Sequence, residues 1–150
     1  MPPSLPLVAL TLGLTAPAAA QTIDHSTRLD HHSGPVTARY RGTMTLEHRQ
    51  IGAVVPGGRT SSLRCQWTAS LAVERHATTA AGSIMRRGVR RDDVASGHRP
   101  GWCAGQREAI ARDVAAQTIA IDQHVQAVAR EDHDVLRAEL DRLHGSVAAG

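Results

Sequence analysis

Residues 36–50 alternate along the chain: Val36, Ala38, Tyr40, Gly42, Met44 and Leu46 share one parity, and Thr37, Arg39, Arg41, Thr43, Thr45, Glu47 and Arg49 take the other. Residues 63–75 repeat the pattern, with Leu63, Cys65, Trp67, Ala69, Leu71 and Val73 set against Arg64, Gln66, Thr68, Ser70 and Glu74. A period of two marks a strand with one buried face. Between the two runs lies Pro56-Gly57-Gly58-Arg59, and a Gly-Gly loop suits the positive φ angles of a tight hairpin turn. With those glycines as the loop, opposed residues sum to 115, so that Leu46 faces Ala69, Met44 faces Leu71, Trp67 faces His48 and Arg41 faces Glu74. A slip of one residue would bury the arginine row, which fixes the parity. Ile51, Ala53 and Val55 break the alternation and predict a bulge or an exposed apolar end near the tip.

Beyond the hairpin the pattern weakens. Residues 83–91 fit a third strand or a short helix, and the antiparallel strand is favoured because a lone hairpin is marginal in water; residues 95–101, with Gly97, Pro100 and Gly101, read as a loop. From Cys103 to His144 there is no Pro, and Gly105 is the one Gly before Gly145, which predicts a helix ended by Gly145. Cys103, Ile110, Val114, Ile121, Val125, Val128, Val135, Leu136 and Leu143 fall in one apolar stripe. Asp132 and Glu139 interrupt it, which predicts a bend or a break near Asp132, or a polar notch in an interface. A straight helix of about 42 residues would be about 63 Å long. That length predicts that the helix folds back or meets another chain.

The expected fold class is therefore α+β: a hairpin or three-stranded meander packed against one long C-terminal helix, with one disulfide. Cys65 lies on the inward face of the hairpin and Cys103 on the helix stripe, so a bridge between them would staple the helix's first turn to the sheet. The expected organisation is a signal peptide over residues 1–20, a flexible segment over 21–35 and a single domain over 36–150. Residues 5–16 are apolar and Ala18-Ala19-Ala20 offers a small-residue cleavage site, although Met1-Pro2-Pro3 carries no basic residue. Export to the periplasm or the medium would favour the disulfide, and the mature chain would hold no membrane span.

Composition modifies this picture in two ways. The 150 residues contain no Lys, Asn or Phe, a bias expected of a high-GC genome, so the wealth of Arg is first a matter of codon usage. The net charge of +3 is also unevenly spread: residues 36–99 carry 11 Arg against 4 acids, and residues 100–150 carry 5 Arg against 8 acids. A basic sheet facing an acidic helix suggests complementarity within one domain. Nucleic-acid binding is disfavoured by scarce aromatics and by the lack of a recognition motif.

Catalytic motifs are missing: there is no GxSxG, no SxxK and no phosphate-cradling Gly-Lys loop, so no residue is assigned as catalytic or cofactor-binding and no enzyme activity is expected. Asp24, His25, Asp30, His31 and His32 cluster near the N-terminus, but no spacing matches a structural zinc pattern, HExxH is absent, and Asp132-His133-Asp134 lacks the rest of a calcium loop. No single residue is assigned as a metal ligand on spacing alone. The leading expectation is a non-catalytic exported protein that binds an envelope partner, or itself as a homo-oligomer, through its helix. The alternative is a metal or anionic-ligand binder using the His cluster or the outer hairpin arginines Arg39, Arg41, Arg49 and Arg64.

Overall fold

The computed structural model describes residues 22–55 and 62–148, so the expected leader over 1–20 and the Gly57-Gly58 turn lie outside the described residues. Four strands come first, β1 (Thr22–His31), β2 (Gly34–Ile51), β3 (Arg64–Thr79) and β4 (Ile84–Pro100), followed by two helices, α1 (Cys103–Ala116) and α2 (Thr118–Ala148). The strands form one antiparallel sheet in the order β1-β2-β3-β4. The fold is α+β, with the helices packed on one face of the sheet. The central register is the one the alternation requires: Leu46 faces Ala69, Met44 faces Leu71, His48 faces Trp67 and Arg41 faces Glu74. Val36, Ala38, Tyr40, Cys65, Trp67, Ala69, Leu71 and Val73 are all buried, so the parity is as expected. Ala53, Val54 and Val55 beyond the ladder are exposed, the second of the two outcomes anticipated for the tip.

The segment expected to be flexible, 21–35, instead supplies β1. Its odd-numbered residues face the helices, but Ile23 and Leu29 are the only large aliphatic ones, and the rest are His25, Thr27 and His31. That faint amphipathicity hid the strand; pairing with β2 along its whole length forms it. A two-residue loop, His32-Ser33, joins the strands, and Gly34 closes it at φ 116°, a conformation that favours glycine.

The loop expected at 95–101 is also corrected, because residues 95–100 belong to β4. Between the pairs Ala69–Ala95 and Leu71–Arg91 the edge strand carries two extra residues, with Asp93 at φ 55°. An even insertion preserves facing, so Arg87, Arg91 and Arg99 all turn toward the helices while Arg86 and Arg90 turn away.

The helix is not continuous, and its break lies at Gln117 rather than near Asp132. Gln117 leaves helical geometry at φ −96° and ψ 11°, its N–H donates to Val114 O, and the Thr118 hydroxyl donates to Ala115 O at 2.5 Å. No large inward side chain lies between Val114 and Ile121. The turn there lets α1 lie mainly over β3 while α2 reaches across to β1. Gly145 does not stop α2, which runs on to Ala148. The expected stripe packs on the sheet: Ile110, Val114, Ile121, Val125, Val128 and Leu136 are buried, joined by Ala129 and Leu140. Gly42 permits a close approach of α2, since a Cβ there would stand 2.8 Å from Val125 Cγ2. The surplus apolar length that suggested a second chain is thus largely met within this one.

Cys65 and Cys103 form the disulfide, with Cα atoms 4.8 Å apart and a sequence separation of 38. Among the described residues no helix is long and apolar enough to cross a membrane.

Candidate metal centre

The β1–β2 turn brings two histidines to one end of the sheet. His31 keeps the inward parity of β1 and its side chain is 6% exposed, whereas His32 occupies the loop and is 68% exposed. Burial of Leu29, Val36 and Leu140 in the common core packs the last turns of α2 beside this hairpin end. Asp141 follows Leu140 and meets both rings: its Oδ1 is 3.1 Å from His31 Nε2 and 3.8 Å from His32 Nδ1. One donor atom from each of the three residues lies within 4.8 Å of the others. Tetrahedral ligands at about 2.1 Å from a metal stand roughly 3.4 Å apart, so a small rotation of the exposed His32 ring would bring the set to coordination distance.

Hydrogen bonding defines the ring states. A carboxylate accepts, so His31 donates from Nε2 to Asp141, and its Nδ1 accepts from the Ser33 backbone N–H at 3.3 Å and faces Ser33 Oγ at 2.7 Å. Coordination at Nε2 would shift the ring proton to Nδ1, where Ser33 Oγ becomes the acceptor that orients the ring. His144 stands one helical turn beyond Asp141, with its ring centroid 5.9 Å from that of His31 and 6.2 Å from that of His32. It donates from Nδ1 to the Leu140 carbonyl at 2.8 Å and stands outside the set of three converging donor atoms.

The N-terminal cluster is therefore divided. His31 and His32 come together, while Asp24 pairs with Arg41 at 3.0 Å, Asp30 with Arg28 at 3.7 Å, and His25 lies beside Tyr40 with ring centroids 6.5 Å apart. Asp141 and His144 were missed by sequence reasoning. Their i, i+3 spacing puts them on one helix face, but nothing local links them to a turn 110 residues earlier.

The two acidic interruptions of the helix stripe have a different role. Arg75, the next inward position after Val73 on β3, is buried and donates to Asp132 at 2.8 Å and to Glu139 at 2.5 Å. Tyr40 Oη donates to Asp132 at 3.1 Å, and Arg87 reaches the other carboxylate oxygen at 3.1 Å. Burial and then the Asp132 charge hold the Tyr40 phenol well above its ordinary pKa. Asp132 is thus the centre of an internal ion-pair network, neither a helix cap nor part of a calcium loop. Arg91 with Glu131 and Arg99 with Asp113 extend the pairing of β4 to the helices. The Arg99 hydrogen bonds hold the Asp113 carboxyl below the usual carboxylate range.

Of the four outer hairpin arginines, Arg41 is ion-paired with Asp24, while Arg39, Arg49 and Arg64 have no carboxylate within 4.0 Å among the described residues. Comparison of the chain with family models, with curated proteins and with solved structures finds no match in any of the three.

Proposed function

We propose that this is an exported, non-catalytic protein that binds a divalent first-row transition metal through His31, His32 and Asp141. The observation that carries the reading is the convergence of the three donor atoms within 4.8 Å from two elements far apart in sequence. Imidazole with one carboxylate suits Zn²⁺, Cu²⁺ or Ni²⁺ and does not suit the all-oxygen preference of Ca²⁺ or Mg²⁺. Ser33 supplies the outer hydrogen bond that orients His31. The disulfide and the apolar leader-like run support export. Partner binding through the helix has less to rest on, since the expected stripe is mostly buried on the chain's own sheet.

Calorimetric titration of Zn²⁺ and Cu²⁺ into the chain tests the site. Wild type is expected to bind one ion, and His31→Ala with His32→Ala, or Asp141→Asn, to weaken it at least about tenfold, as loss of even orienting groups does. His25→Ala should leave binding unchanged, because that ring lies beside Tyr40. Equal binding by wild type and the double variant would overturn the reading.

A further inference from the structure

The register brings two unpaired arginines of the open sheet face, Arg39 and Arg86, into one row, while Arg49 and Arg64 lie at the other end of the same face. Ser26, Arg39, His76 and Arg86 are directly opposed across the four strands, and all four have the parity that faces away from the helices. The neighbouring row on the same face is Arg28, Thr37, Thr78 and Ile84. Arg28, Thr37, Arg39, His76 and Thr78 line an open depression of about 540 Å³. His76 also lines a second one, of about 310 Å³, with Arg86 and Glu74. His76 Nε2 lies 3.9 Å from Glu74, and Glu74 in turn stands opposite Arg41.

Arg39 and Arg86 lack any carboxylate partner among the described residues, although every inward arginine of β3 and β4 has one. Basic groups directly opposed across strands disfavour one another. A sheet that neutralises its inner arginines with helical acids leaves Arg39 and Arg86 without a carboxylate partner, while Arg28 pairs with Asp30 and His76 lies near Glu74 at the edges of the patch. Guanidinium groups present forked donors that match phosphate oxygens, and threonine hydroxyls add neutral donors between them. Two adjoining depressions that share His76 fit a ligand with linked anionic groups better than a single small ion. Their concave shape, and the absence of large apolar side chains other than Ile84 from these two rows, favour a soluble molecule over a lipid surface.

We propose that the Arg28, Arg39, His76 and Arg86 patch binds a soluble oligophosphate-type anion, independently of the metal centre. Tripolyphosphate is the probe, titrated calorimetrically at low ionic strength into the metal-free full chain, because the probe itself chelates metal. Saturable binding is expected. Arg39→Gln with Arg86→Gln should weaken it at least about tenfold, the scale of losing charged hydrogen bonds. Arg49→Gln with Arg64→Gln removes the same charge from the same face and should change it by less than about twofold. His31→Ala with His32→Ala should have no effect, which separates this outcome from the fate of the metal site. Equal weakening by the two arginine pairs, or no saturable binding by wild type, would overturn the proposal. So would retention on anionic phospholipid vesicles that excess tripolyphosphate does not reverse.

Discussion

Arg75 is a charged side chain only 2% exposed, at a strand position where the alternation calls for an apolar residue. A buried guanidinium is tolerated when its partners are supplied, and Asp132 and Glu139 supply them from inside the helical stripe. Both halves of the pairing were written in the sequence as violations: a basic residue on the inward parity of β3, and two acids on an otherwise apolar helix face. Neither violation is informative alone, because periodicity identifies faces and does not identify partners. Removing one partner leaves an uncompensated buried charge. Asp132→Ala is therefore expected to destabilise the fold by about 3–5 kcal/mol in denaturant unfolding, and replacing Arg75, Asp132 and Glu139 together by apolar residues to recover much of that loss. Destabilisation below about 1 kcal/mol for the single variant would show that the network contributes little.

At the scale of elements, β2 and β3 were legible because the alternation of each is strong and their register is checked by a second, independent pattern. β1 and the distal half of β4 were not. Most of their inward positions hold His, Thr, Gly and Arg, so chiefly hydrogen bonding to a strong neighbour marks them as strands. Packing decided the break at Gln117 as well, since its cause is the different reach of α1 and α2 across the sheet. Arg99 and Asp113 tie the end of β4 to α1 with two hydrogen bonds of 2.7 and 2.6 Å. A carboxyl held below its unfolded value stabilises the native state above that value, and the contribution is lost as pH falls through the folded value. Asp113→Asn should therefore lower the melting temperature near neutral pH and have a diminishing effect below about pH 4. A deficit of the same size at all pH values would remove the ion pair as its cause.

For the whole molecule, the disulfide is the covalent link between the layers, joining the start of α1 to the sheet near the start of β3. Closing a loop of 38 residues is worth about 4 kcal/mol in the chain-entropy account, so Cys65→Ala with Cys103→Ala should lose roughly that much in denaturant unfolding. A loss under about 1 kcal/mol would mean that the helices are held by packing alone. The proposed metal centre ties the far end of α2 to the β1–β2 turn and would act as a second, reversible clasp. The charge asymmetry also has a structural form: the inward arginines Arg75, Arg87, Arg91 and Arg99 meet helical acids, and the outward Arg39 and Arg86 do not. By itself the sequence determined the parity of the central hairpin, its register, the helical stripe and the cysteine pair, because each follows from a local period that geometry alone enforces. Tertiary structure decided β1 and the distal half of β4, the break in the helix and the meeting of His31 and His32 with Asp141. Those depend on which surfaces pack together over long sequence distances, and a local period carries no information about that.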